Sequence, residues 1–68
     1  MEDRVVVYED RAGDWRWKRV SDNGRTIADG SEGYENRSDC MDQARKVNKT
    51  PYILDVHGSE GVQTEIIE

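Results

Sequence analysis

"WRWKRVSDNGRTIAD", residues 15–29, decides the fold. Its two tryptophans stand two positions apart, so on a strand they share one face while Arg16, Lys18 and Val20 take the other. Asn23-Gly24 is a hairpin signal, because a type I′ turn needs positive φ at both central positions and this pair tolerates it. "RTIAD" then reads as the returning strand. Such a pair of indoles is either a stacking platform for bases or most of the core of a small domain.

Working outward, "RVVVY" (4–8) is β-branched and aromatic, a strand by propensity. "EDRAGD" (9–14) is a polar turn, so the first half of the chain reads as a three-stranded antiparallel meander. Gly30 and Gly33 interrupt the strands, and Asn36 is a helix N-cap with Asp39 at the third helical position. Cys40, Met41, Ala44 and Val47 form one helical stripe, with Asp39 and Asp42 near the start and Arg45, Lys46 and Lys49 near the end, as the helix dipole favours. Pro51 closes the segment. "YILDVH" (52–57) is a further strand with Tyr52, Leu54 and Val56 on one side. The order is three strands, a helix and a strand, an α+β class. Residues 1–57 make the β-β-β-α-β domain, and residues 58–68 read as an acidic C-terminal tail, with a short extra strand as the alternative.

Composition bounds what this fold can do alone. The chain has 68 residues, 34% apolar and 37% charged, which leaves a thin core. Its single cysteine forms no internal disulfide, and one cysteine with one histidine makes no recognisable zinc set. A second subunit is the remaining reinforcement. No stretch is long and apolar enough for a membrane span and no basic-plus-apolar leader opens the chain, so a cytoplasmic location is expected. The net charge of −5 is uneven, because residues 51–68 carry Asp55, Glu60, Glu65 and Glu68 and no lysine or arginine. Seven arginines against three lysines and an excess of acids suit a high-salt, halophilic cytoplasm.

These residues resemble the YegP-like family of small domains of unknown function. The resemblance rests on Val5, Val7 and Tyr8; Gly13, Trp15, Arg16 and Trp17; Asn23, Gly24, Ile27 and Ala28; Ser31, Glu32, Gly33 and Tyr34; and Cys40. It implies a β-β-β-α-β unit, two of which build a continuous sheet and exchange their C-terminal strands. A chain with one unit is then the homodimeric form, and the exchanged strand would be Tyr52, Ile53, Leu54, Asp55, Val56 and His57. The chain departs from the family pattern at Val5, usually phenylalanine, at Val6, often charged, and at Arg19, usually leucine. A bulge at Arg19 would present Val20 instead.

The tryptophans are assigned to the core on magnitude. Each can bury about 150–250 Å², worth roughly 4–6 kcal/mol as an upper bound. A domain this small has only a few kcal/mol of net stability, so leaving both in water would forfeit most of its hydrophobic drive. The expected core is Val5, Val7, Trp15, Trp17, Ile27, Tyr34, Cys40, Ala44 and Val47, with Tyr34 anchoring the Ser-Glu-Gly-Tyr loop. The opposite sheet face carries Tyr8, Arg16, Lys18 and Thr26, a candidate ligand surface of the kind on which aromatics stack bases and arginines meet phosphates. The acidic balance and the lack of an RNP-type motif weigh against that use.

Chemistry-bearing motifs are absent from the sequence. No phosphate loop, dinucleotide fingerprint or H-E-x-x-H occurs, Ser31 and Ser38 lack a neighbouring histidine, and His57 reads as a surface or interface residue. Cys40 falls in the first helical turn on the apolar stripe, which marks a buried structural thiol rather than a reactive one. The expectation is a non-enzymatic homodimeric binding or accessory module without cofactor or metal, the alternative being weak RNA binding through the open sheet face.

Overall fold

The computed structural model describes residues 2–30 and 32–68. Among them the elements are β1 (Arg4–Glu9), β2 (Trp15–Val20), β3 (Thr26–Asp29), α1 (Arg37–Val47), β4 (Tyr52–Gly58) and β5 (Gly61–Ile67). They form a mixed α+β sheet in the order β3-β2-β1-β4-β5, in which only β1 and β4 run parallel. The helix lies across one face, against β1 and β2. The other face is uncovered.

Both N-terminal hairpins close in the same way. In the first, Asp10 N–H donates to Asp14 O (2.8 Å) and Gly13 N–H to Asp10 O (3.1 Å). In the second, Ser21 N–H donates to Arg25 O (2.8 Å) and Gly24 N–H to Ser21 O (2.9 Å). Gly13 and Gly24 have φ of 88° and 90°, while among the described residues none other than glycine has positive φ. The Asn23-Gly24 turn is therefore not type I′, which would need Asn23 left-handed too. It is a three-residue loop ending in a glycine bulge. Asn23 helps by side chain instead, its Oδ1 accepting from Arg25 N–H at 3.2 Å.

The buried apolar residues are Val5, Val7, Trp17, Cys40, Ala44, Tyr52, Leu54 and Val56, with Trp15, Tyr34 and Met41 partly buried against them. Trp15 and Tyr34 exchange backbone hydrogen bonds of 2.7 and 2.9 Å, which ties the loop before α1 to the sheet. Ser31 of that loop lies outside the described residues. Gly30 passes so close to Trp17 that a Cβ there would stand 2.5 Å from the indole Nε1.

Two residues expected in this layer are outside it. Ile27 is 55% exposed and Val47 58%. Between the Arg19–Ala28 and Val20–Thr26 pairs the register shifts, leaving Ile27 as the extra residue of β3 and moving Ala28 onto the Trp17 side. In α1 the inward line runs Cys40, Ala44, Asn48, so Val47 turns to solvent. Asn48 has a polar reason to point inward, which is Arg19.

Arg19 is only 8% exposed. It stays on the Trp17 face; the bulge does not swap Val20 into its place. Its Nε donates to Asp3 Oδ2 (2.9 Å), Nη1 to Asn48 Oδ1 (3.3 Å), and Nη2 to Thr50 Oγ1 (2.9 Å) and Pro51 O (3.2 Å). The guanidinium also lies 5.6 Å from the Tyr52 ring centroid. The fork thus joins the residue before β1, the helix C-terminus and the entry to β4, and satisfies most of its donors.

Residues 61–67 form β5, not a tail. The strand pairs with β4 along its whole length, from Gly58↔Gly61 to Tyr52↔Ile67. The domain accordingly extends past residue 57, as β-β-β-α-β-β.

Candidate interaction surface

The uncovered face is assembled from alternate residues of every strand. Pairing sets Val20, Arg4, Ile53 and Ile66 in one row and Lys18, Val6, Asp55 and Thr64 in the next. Arg16 and Tyr8 pair in a third, with Val62 beside His57 on the far strands. Val6, Val20 and Ile53 are half-buried; Val62 is 52% and Ile66 67% exposed. The face therefore carries a scattered apolar strip across the sheet.

Its charges are engaged with one another. Arg4 Nη1 donates to Asp55 Oδ2 at 2.8 Å, and the Thr64 hydroxyl donates to Asp55 Oδ1 at 2.7 Å, so one carboxylate links β1, β4 and β5. Burial raises the Asp55 pKa, but the Thr64 and Arg4 hydrogen bonds outweigh it and hold the carboxyl below its ordinary value. Arg16 Nε donates to Asp10 Oδ2 at 2.6 Å. That bond, with the Asp14 and Ala12 backbone N–H groups, keeps Asp10 low as well. Lys18 Nζ stands 5.4 Å from the Tyr8 ring centroid, a cation over an aromatic face.

Tyr8, Arg16 and Lys18 do share this face, and the exposed Thr26 lies opposite Val20 at its margin. Both the aromatic ring and the Arg16 guanidinium already have intramolecular partners. Tyr52, Leu54 and Val56 point into the core and are nearly or fully buried, whereas Ile53, Asp55 and His57 belong to the open face. Expected to cross to a partner, these residues lie here between β1 and β5 of their own chain. Cys40 is fully buried, and desolvation raises its thiol pKa, which opposes thiolate formation.

Sequence reasoning missed two parts of this surface, the Asp55–Arg4–Thr64 link and the exposed pair Val62 and Ile66, and gave β5 only as the alternative to a tail. The signal for the strand was present in the two-residue alternation Val62, Thr64, Ile66. On the other side of the sheet, a groove of about 300 Å³ runs between α1 and β3, lined by Trp17, Ala28, Gly30, Tyr34 and Val47 among others.

Residues 10–50, more than half of the chain, match the family described as a domain of unknown function, DUF1508. The chain belongs to that family. DUF1508 is the YegP-like family, and the matched stretch runs from the first hairpin turn through β2, β3 and α1. A relative from Stutzerimonas stutzeri, the "UPF0339 protein in ptx operon 5'region", is 37% identical over 43 residues. That alignment covers 63% of this chain and 38% of the relative, so the chain spans well under two thirds of the relative's length. No solved structure matches this DUF1508 chain significantly. Among the described residues no helix is long and apolar enough to cross a membrane.

Proposed function

We propose that this chain is a non-enzymatic binding module that works as a homodimer. The observation that carries the reading is the imbalance between the two faces of its sheet. One face buries six apolar side chains against Cys40 and Ala44 of a single helix, while the other leaves Val6, Val20, Ile53, Val62 and Ile66 with no layer above them. A small fold with so thin a core gains most from a second copy that removes more of this surface from water.

Binding is favoured over catalysis by how the ionisable groups are used. Asp55 is held by Arg4 and Thr64, Asp10 by Arg16, and Asp3 by Arg19, each pair stitching one segment to another. RNA binding is the weaker reading, because a base stacking on Tyr8 must first displace Lys18. Sedimentation equilibrium from low to high micromolar concentration tests the proposal. A dimer is expected, and a monomer across the whole range overturns it.

A further inference from the structure

Most arginines of this chain are held by carboxylates of their own. Arg4, Arg16, Arg19 and Arg45 each approach one at 2.8, 2.6, 2.9 and 3.7 Å. Among the described residues Arg11, Arg25 and Arg37 pair with none. Arg11 and Arg25 sit in exposed hairpin loops, whereas Arg37 lines a cleft. Its guanidinium lies over the Trp15 ring, 5.9 Å from the centroid. A cation over an aromatic face keeps its in-plane N–H groups available to an acceptor. Gly58 adjoins the same group, since a Cβ there would stand 3.9 Å from Arg37 Nη1.

The cleft encloses about 470 Å³, within the range of small-ligand sites. Topology builds it. The parallel strands β1 and β4 both stop at this end of the sheet, where β2 begins and α1 starts. Open sheets with parallel strands place their binding crevices beyond such carboxyl ends. Here Trp15 and Arg37 come from the helix side, Tyr8 and His57 from the open face, and Ser59 from the β4–β5 turn. A phenol, an imidazole and a hydroxyl thus surround the fork with further donors.

We infer that this cleft binds a small molecule through one oxyanion, a carboxylate or a phosphate monoester, taken by the Arg37 guanidinium. The inference rests on the binding-module half of the reading above and is independent of its homodimer half. A planar fork of N–H donors matches two oxygens of either anion. Glu9, cross-strand from Trp15, also lines the cleft, and Glu60 lines a smaller one that shares Arg37. These two carboxylates oppose a polyanion, so the site selects a single oxyanion over a polyphosphate or a nucleic-acid backbone.

The test is a nitrogen-15 NMR titration of the full chain at fixed ionic strength, with inorganic phosphate and, separately, with benzoate. The expected result is a saturable shift of the Arg37 Nε–H and the Trp15 indole N–H with at least one probe. The Nε–H groups of Arg11 and Arg25 and the buried Trp17 indole should stay still. Phosphate alone assigns the phosphate class, benzoate alone the carboxylate class, and both the shared chemistry. Arg37→Gln should weaken binding about tenfold. Gly58→Leu keeps the guanidinium but puts bulk beside it, at a glycine without positive φ, and should block the probe as well. Glu9→Gln should tighten phosphate binding. No saturable shift with either probe, equal shifts at Arg11, Arg25 and Arg37, or binding that both Arg37→Gln and Gly58→Leu leave unchanged overturns the site. None of these results touches the homodimer, which sedimentation decides; a monomer that binds a probe at Arg37 keeps this inference and overturns only the dimer.

Discussion

Trp17 and Arg19 stand two residues apart on the same strand and face the same side, yet the two ends of the core they define are built on opposite principles. Around Trp17 the neighbours are apolar and the fit is by shape: Val7 sits across the strand, Cys40 and Ala44 belong to the same buried cluster, and Gly30 lies flat against the indole. Around the Arg19 guanidinium the polar neighbours are oxygens, from Asp3, Asn48, Thr50 and Pro51, with the Tyr52 ring beside it. The apolar end is stabilised by area removed from water. The polar end has little net gain from burying a charge, but it fixes where three segments meet, since each oxygen loses its partner if a segment moves. A small core can thus spend most of its hydrophobic material at one end and use directional bonds to set the geometry at the other.

The largest effect is expected at the apolar end. Trp17→Ala should cost about 3–5 kcal/mol, enough to unfold most of the protein at 25 °C. Circular dichroism with urea titration checks this; an unchanged midpoint means the indole does not hold the core together.

Arg19→Ala should cost less, about 2–3 kcal/mol, because it leaves Asn48 and Thr50 without their donor. Arg19→Leu separates the two contributions at that end. If volume matters most, leucine restores the loss; if the bonds matter most, leucine and alanine unfold at the same urea concentration. The second outcome is expected from the geometry, since four of the side chain's contacts are hydrogen bonds.

The smallest effect comes from the carboxylates away from both ends. Asp10 and Asp55 have folded-state pKa values lowered relative to the unfolded chain. A lowered pKa means stability that is complete above the unfolded carboxylate value of about 3.9 and is lost as pH falls through the folded value. The melting temperature should therefore be flat from neutral pH down to about pH 5 and then fall. Asp55→Asn should lower the plateau slightly and reduce the acid-side slope, as followed by thermal melts in a pH series.

The contrast between the two ends also explains what could be read from the sequence. Val5, Val7, Trp17, Cys40 and Ala44 were legible because apolar residues at strand and helix spacing announce their own burial. Arg19 was not, because a buried arginine is defined by partners at Asp3, Asn48 and Thr50 that no local period reveals. The misplacement of Val47 follows from the same cause, since the helix turns Asn48 inward to meet that arginine. Ile27 was misplaced because one extra residue in β3 inverts the alternation. β5 was read as a tail, with a short strand only as the alternative, because its side chains are nearly all exposed and its strand state comes from backbone pairing with β4 rather than from a buried face. Of the interaction surface, Tyr8, Arg16 and Lys18 were placed correctly on one face. Their mutual satisfaction by Asp10 and by the cation over the ring needed coordinates.

The parallel ladder between β1 and β4 has a consequence for how the chain is made. Arg4 is bonded to Asp55, a separation of 51 positions, and β1 has no other neighbour on that side. The meander can close its two hairpins as soon as residue 29 leaves the ribosome, but the middle of the sheet stays incomplete until residues 53–56 emerge to pair with β1. Until then Val5 and Val7, on the strand that β4 will flank, wait with one side bare.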